Sequence, residues 1–545
     1  MSSSNLFIIG LIIWIIWALI VVRRREKYRS HLKQGLALLE LGRYEQAVTL
    51  FEQAIELKRD EYTAWCNRGL SFLNLSRNQE AIVNFNQAIK LKANCYTAWN
   101  NRGVALLNLG CDEEALPSFD KAIQLNQYFH FAWSNRGRAL LSLSRYKEAK
   151  ASLDKAIQYQ PDYYMSWHYR GLVLWNLGQT KEAIASFSQA IKLKPEYCDS
   201  WYNRGLLLLN LARYKEALSD FRKVTNFRPD NHDVWLKQGW ALNNLGCYEE
   251  AINSFEKAIQ FQPDFCSAWI NRGWALSQLT RYEEALVSYN KAIELQSKNY
   301  EAWHYRGRLM NDLGRYKEAV ASFSKVLKFR PESYLSWINQ GWVLCKLGCY
   351  KEALTSYDKA IELKADYHEA WHYRGLVLAN LSRNQEALTS YDKAIELKPK
   401  YQECWYGRGI VLRKLGSYKE ALTSYDKAIE FKLDYHEAWH NRGIVLWNLN
   451  YYEEALASFN KAIEFKPDKH EAWYSRGWTL SKLGHHEKAL ASYDRAIEFK
   501  PDYYEAWNYR GFELWNLNRY EEALASYNKA IEFQPYQHEA WSSRG

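Results

Sequence analysis

The sequence predicts an all-α fold, a solenoid of stacked helix-turn-helix units preceded by one transmembrane helix. Three observations carry this. Tryptophan recurs every 34 residues from Trp65 to Trp541, small and aromatic residues repeat in the same register, and residues 6–22 form an unbroken apolar run. At 545 residues the chain exceeds what one hydrophobic core can enclose. A fixed period of this length points to an array whose units stack on one another.

The N-terminal element comes first. MSSSN (1–5) carries no charged side chain, and seventeen apolar residues follow from Leu6 to Val22. That length is at the short end of a membrane span. A cleavable signal peptide would place its positive charge before the apolar core, whereas here RRREKYR (23–29) follows it. No polar face interrupts the run, as one would in a buried helix of a soluble domain. The reading is an uncleaved anchor: a short extracytoplasmic tail (1–5), a transmembrane helix (6–22) and a basic juxtamembrane segment (23–27). The arginine excess places the C-terminal side in the cytoplasm, making a single-pass protein with its N-terminus outside. No glycine or proline lies between Leu11 and Gln34, so the span is expected to continue into the first repeat helix.

From residue 28 on, fifteen complete 34-residue units reach residue 537, and HEAWSSRG (538–545) begins a sixteenth, incomplete one. With the periodic tryptophan as position 4, glycine holds position 8 from Gly35 to Gly545 and alanine position 20 from Ala47 to Ala523. Position 24 is aromatic in nearly every unit (Phe51, Tyr391, Phe459), with Leu153 an exception. Two helices per unit are predicted, over positions 2–14 and 17–30. At 100° per residue, positions 3, 4, 7, 8, 10, 11 and 14 share one face, which packs on the partner helix. Arginine at position 7 (Arg68, Arg102, Arg374 and others; Gln34, Gln238 and Gln340 elsewhere) falls on that face. Its methylenes are expected to pack and its guanidinium to reach a carboxylate or carbonyl at a helix end. Pro117, inside a second helix, is expected to kink or unwind it.

This pattern resembles the tetratricopeptide repeat (TPR) family: W-x₂-L-G-x₂-Y, A-x₃-F and a terminal proline recur in register from 28 to 545. The resemblance implies a superhelical rod whose concave groove is lined by first helices and binds protein segments.

Composition narrows the function. The chain has 72 basic and 62 acidic residues, and outside the 23–29 block the excess is too diffuse for a nucleic-acid surface. Nine cysteines, an odd number without a C-x-x-C, read as reduced thiols of a cytosolic compartment. HEAWH occurs at 368–372 and 436–440, matching the H-E-x-x-H of zinc peptidases. Its register-mates read YEAWH, QECWY and YEAWN, and no third ligand follows His372 before the next repeats. The sequence therefore predicts no catalytic residue, no metal and no cofactor.

Binding is the alternative to catalysis. Positions 2, 5, 6, 9, 12 and 13 form the opposite arc, expected to face the groove. Position 6 carries Asn67, Asn101, Asn135, Asn203, Asn271, Asn339 and Asn441. An amide with one acceptor and two donors can pair with an extended peptide backbone whatever its side chains. The asparagine ladder of O-linked N-acetylglucosamine transferase is similar, although Tyr169, Tyr305, Tyr373 and Tyr509 interrupt it here. Position 9 adds Trp240, Trp274, Trp342 and Trp478, and position 12 adds Trp175, Trp447 and Trp515, as anchors for apolar partner groups or as packing. Glutamates at position 2 in the C-terminal half read as helix N-terminal charge compensation. No lysine stands at positions 2 or 5, against the carboxylate clamp of chaperone-binding TPR domains. The expected function is a membrane-anchored scaffold or assembly factor that binds other proteins. The alternative is the non-catalytic arm of a larger enzyme, such as a glycosyltransferase. The array stops without a polar capping helix, so a second copy of the chain is a further expected partner at that end.

Overall fold

The computed structural model describes residues 3–534, with side chains from Phe7 onward, as thirty α-helices; no strand occurs among these residues. The helices fall into two compact bodies, one up to Thr280 and one from Arg281. Within each body every helix packs on the next. First helices of successive units also pack closely, whereas the backbones of second helices stay apart and meet only through long side chains, as Arg222 meets Glu250 at 2.9 Å. First helices thus form a shared layer with the second helices along its other side. The start of the tail (1–2) and the incomplete unit at 538–545 lie outside the described residues.

Helix α1 (Ser3–Glu40) is continuous over 38 residues, so the apolar run, the basic segment and the first repeat helix are one element. Its apolar side chains find no protein partner: Phe7 is 75% exposed, Trp14 64% and Trp17 62%. Past the arginines the same helix turns inward, burying Tyr28 against Ala54, Ile55 and Ala64.

The later first helices span positions 1–13, as in Tyr62–Asn74, and the second helices 17–30, as in Asn78–Leu91. The first helix ends one residue earlier than expected because position 15 is left-handed. Arg77 N–H donates to Phe72 C=O at 2.9 Å and Ser76 N–H to Leu73 C=O at 3.0 Å, satisfying the last carbonyls. Glycine supplies this conformation at Gly42 and Gly110, while Ser76 (φ 60°), Ala212 (φ 57°) and Thr280 (φ 59°) adopt it despite their side chains. Pro117 neither ends nor interrupts its helix, α6 (Asp112–Leu125). It stands in the second turn, so the carbonyl it leaves without a donor is that of solvent-exposed Glu113, which water can satisfy.

Within each body the helix pairs close on the position-8 glycine. A Cβ on Gly69 would stand 2.8 Å from the Phe85 ring, on Gly375 2.9 Å from Tyr391, and on Gly137 2.5 Å from Leu153. The rings at position 24 are buried completely or nearly so. The periodic tryptophan ties each unit to the one before. Its indole N–H donates to the carbonyl at position 32, as Trp167 does to Pro161 and Trp371 to Ala365, both at 2.8 Å. The acceptor is main chain, which is why position 32 tolerates alanine, arginine or leucine as readily as proline.

Position 7 is where the structure departs from expectation. The arginine does not seek a helix end; it bridges two second helices at mid-length. Arg136 Nε donates to Asp120 at 2.7 Å in the preceding unit and Nη1 to Ser152 Oγ at 2.6 Å in its own. Ser152 Oγ donates in turn to Glu148 C=O at 3.0 Å. Arg170, Arg374, Arg408, Arg442 and Arg510 repeat the carboxylate–guanidinium–serine clamp. Several also lie over the unit's tryptophan, with Arg204 at 5.0 Å from the Trp201 ring.

Gly375→Ala tests the closing contact. Alanine alone would favour the helix by about 1 kcal/mol. Displacing the buried Tyr391 ring costs about 1–3 kcal/mol. A net loss of up to about 2 kcal/mol is expected, read as faster amide hydrogen exchange in 368–397 than in the wild-type chain.

Candidate partner-binding face

The face available to a partner is the solvent side of the first helices. Position 5 is not part of it, contrary to the sequence expectation. Ser134, His168, Leu236, Ile270 and Ile338 are buried. The turn between units brings the next first helix over position 5: His168 Nδ1 lies 3.0 Å from Ser200 Oγ, and His372 Nδ1 3.2 Å from Cys404 Sγ. A helical wheel accounts for one neighbour, the partner helix, whereas within each body each first helix also packs on the first helix of its neighbouring unit.

Position 6 is half-buried at every asparagine named above. Asn67, Asn203, Asn271 and Asn441 donate Nδ2 to the carbonyl four residues back, at 2.9, 2.8, 2.7 and 2.9 Å. That bond fixes the amide plane. Among the described residues the Oδ1 acceptors of Asn67 and Asn203 have no partner. Asn101 instead accepts from Asn100 at 3.0 Å, whose own Oδ1 accepts from Asn135 at 3.0 Å, so these three form a chain linking two first helices. Asn441 also donates to Tyr406 Oη at 3.3 Å. Asn339 makes no side-chain hydrogen bond among the described residues.

The tryptophans divide in the same way. Trp240 is 38% exposed, with the Lys237 ammonium 4.8 Å from its ring. Trp274 packs edge-on against Tyr248 at 5.8 Å and Trp342 against Tyr373 at 5.3 Å. Trp478 stacks on Trp447 at 4.2 Å and lies 6.4 Å from Tyr509, making a continuous aromatic seam. Trp515 is exposed and Trp175 half-buried. The tyrosines that interrupt the asparagine series serve this seam: Tyr373 and Tyr509 each meet the position-9 tryptophan of the preceding unit and stack on the buried Tyr357 and Tyr493. The pairing of Trp at 9 with Tyr at 6 one unit later was present in the sequence as a signal, but it becomes visible only when units are read in pairs. Glutamates at position 2 sit at helix starts, Glu369 accepting from Tyr367 Oη at 2.8 Å.

The two HEAWH segments open α21 (His368–Asn380) and α25 (His436–Asn448). His368 Nε2 lies 3.1 Å from Lys398 Nζ, and the His372 ring packs 5.2 Å from Tyr401 and 5.9 Å from Tyr391. His440 Nε2 lies 3.1 Å from Ser475 Oγ. The second histidine of each motif therefore sits in the seam between units. Among the described residues no three His, Cys, Asp or Glu side chains are grouped as a metal would require.

Tetratricopeptide-repeat family models match 32–84 and 134–197, 96–129, 186–219, 232–265 and 254–287 in the first half. They continue through 300–333, 341–382, 368–401, 410–450, 436–469, 470–503 and 504–537. The chain belongs to the tetratricopeptide repeat family. The protein prenyltransferase alpha subunit repeat, another repeat model, matches 78–109 and 282–313. No curated protein matches the sequence significantly. Among solved structures, YrrB, described as a TPR protein with an unusual peptide-binding site, is 27% identical over 34% of this chain and 97% of its own, with a TM-score of 0.32. MamA is 25% identical over 30% of this chain and 96% of its own (TM-score 0.29). The Cut9–Hcn1 assembly of the APC/C is 15% identical over 82% and 95% (TM-score 0.37). TPR arrays act in protein–protein interaction and scaffolding, and this chain is a long TPR array.

Burial sets the pH response of the TPR seams. The imidazoles of His168, His304, His372 and His440 are held down to about 4, chiefly by desolvation. Unfolded, each would titrate near its ordinary value of about 6.5. Between these values the unfolded chain binds protons that the folded chain refuses, so stability is complete above about pH 6.5 and falls as pH drops toward 4. The limiting slope is about 1.4 kcal/mol per pH unit for each histidine. Exchange of the amides in α21 should accelerate, relative to intrinsic rates, from pH 7 to pH 5. His372→Phe should flatten that dependence.

Proposed function

We propose that the chain is a membrane-anchored TPR scaffold, with α1 crossing the bilayer through 6–22 and the array holding protein segments on its first-helix face in the cytoplasm. The observation that carries the binding part is the state of the position-6 amides. Asn67, Asn203 and Asn271 each spend one N–H on their own helix. The amide is thereby held still, and Asn67 and Asn203 keep Oδ1 for an incoming main-chain N–H. An acceptor already fixed in place loses little freedom when it binds. Trp240, Trp274, Trp342 and Trp478 add apolar surface beside it, with Trp240 the most open of the four. Recognition through main-chain groups and flat aromatic faces suits extended segments of varied sequence.

The anchor reading rests on one helix long and apolar enough to cross a membrane, whose apolar side chains are unburied. The arginines at 23–25 stand at its C-terminal side, which favours the cytoplasmic orientation. The domain limits proposed from the sequence, including the repeats at 28–537, follow from this arrangement.

The test joins both parts. In the native host, proximity labelling from the C-terminus should mark cytoplasmic proteins, and the chain should resist alkaline extraction from membranes. The triple replacement Asn67→Ala, Asn203→Ala and Asn271→Ala should lower capture of the labelled partners about tenfold while leaving thermal stability near wild type. An unchanged set of captured partners would rule out the asparagine face, and extraction into the soluble fraction would rule out the anchor.

A further inference from the structure

A concentration of cationic side chains lies at the junction between α1 and the loop that follows α2 (Tyr44–Leu57). A cavity of about 580 Å³ opens there, lined by Arg24, Arg25 and Tyr28 of α1, by Glu56 at the end of α2 and by Lys58, Arg59 and Asp60 of the loop. It begins at Val21, at the end of the apolar run. Arg25 lies three residues past Val22, about 5 Å along the helix at 1.5 Å per residue. That is the depth of the lipid headgroups when the apolar run fills the hydrocarbon core.

Two features mark the cavity as built. The Tyr28 side chain is only 8% exposed and its hydroxyl is buried without a hydrogen-bond partner. A buried hydroxyl left unpaired is costly. Burial, aided by the Glu61 charge, pushes its acidity out to about 12, so the phenol keeps its proton and stays a donor. The cations are also unequally engaged. Arg24 donates to Glu56 C=O at 3.3 Å and Lys58 pairs with Glu61 at 2.6 Å. Arg25 and Arg59 make no side-chain hydrogen bond or ion pair among the described residues, and both are exposed. Two unpaired guanidinium groups thus border this space and the unpaired Tyr28 hydroxyl lies just beneath its wall; all three complement phosphate oxygens, and they outweigh the carboxylates of Glu56 and Asp60 once Arg24 and Lys58 are counted.

We propose that this cavity binds the phosphate of an anionic phospholipid headgroup, with Arg25 and Arg59 holding its charge and Tyr28 donating to one of its oxygens. The site rests on the anchor reading above, and it adds that the first TPR unit is held against the membrane surface by a lipid of chosen charge. A lipid fits better than a soluble anion because the cavity sits where headgroups are concentrated. Basic pockets beside a membrane helix recognise anionic headgroups by the same forces.

The full-length chain in detergent, titrated with phosphatidylglycerol or phosphatidylcholine and followed by native mass spectrometry, tests this. One phosphatidylglycerol should be retained per chain at concentrations about tenfold below those needed for phosphatidylcholine. Tyr28→Phe keeps the buried ring and should weaken retention about fivefold, the effect of one hydrogen bond. Arg25→Gln with Arg59→Gln should abolish the preference. Equal retention of the two lipids, or a preference that survives both variants, overturns the proposal. Displacement of phosphatidylglycerol by millimolar inorganic phosphate would assign the cavity to a free anion and overturn the lipid. Vesicle flotation separates the two readings: a chain that floats with phosphatidylcholine vesicles but shows no lipid preference loses only this site. A chain that floats with no vesicle loses the anchor and the site together.

Discussion

Everything in this array depends on a side chain that is missing. Within each body the first helix of a unit meets the second through the position-8 glycine, whose hydrogen lies where a Cβ would overlap the position-24 side chain, a ring in these pairs except at Leu153. Close approach of the two axes places the ring under the helix rather than beside it, and the ring is then almost wholly buried. The position-7 side chain, one residue earlier, is thereby carried to the rim of the same contact. From there a long side chain reaches the second helices on both sides. The glycine sets how tightly a unit closes, and the arginine beside it sets how that unit meets its neighbour.

The clamp is a constraint on three positions at once, and the exceptions show this best. At Arg204 the two partners are exchanged: Asp220 lies in its own unit and Ser188 in the preceding one, and the guanidinium engages both at 2.7–2.8 Å. Where position 25 is itself a cation, Arg222, position 7 of the next unit is Gln238, which donates to Ser254 at 3.2 Å, while Arg222 pairs with Glu250. Where both partners are serines, Gln340 replaces the arginine and bonds Ser324 at 2.8 Å. A guanidinium facing another guanidinium would be repelled, whereas neutral partners are tolerated: Arg102 donates to Asn86 and Ser118, and Arg476 to Asn460 and Ser492. Most clamp carboxylates are about half exposed, so each pair adds only modest stability. What the clamp supplies is register, since its geometry is met only when adjacent units are stacked in one way.

How much of this is legible in the sequence follows from the range of each interaction. Helix spans, the glycine and the aromatic column are set within one unit, and a 34-residue period displays them directly. The clamp partners and the burial of position 5 are set between units, at separations of 16 and about 32 residues. There a helical wheel of one helix has nothing to say. His372 illustrates the loss. On the wheel it faces outward beside His368, and the pair resembles a metal site. In the structure the next first helix places Cys404 and Tyr401 over its ring. The partner-binding face was half legible for the same reason: the asparagines are visible as a column, but their division into fixed acceptors and inter-helix links depends on what stands at position 5 next to them. At Asn101 and Asn135 that neighbour is Asn100, which takes up both amides.

The first unit carries these rules into the membrane reading. Its first helix is the end of α1, and Gly35 in that helix is pressed against Phe51, where a Cβ would stand 2.7 Å from the ring. That contact fixes the rotation of α1 about its own axis. Because no break separates Gly35 from the arginines, the same rotation fixes which side of the helix Arg24, Arg25 and Tyr28 present to the loop at 58–60. A flexible linker would let the anchor turn freely beneath the array. A helix locked by a glycine contact at one end cannot, so a headgroup bound at the junction would act on the orientation of the first unit directly.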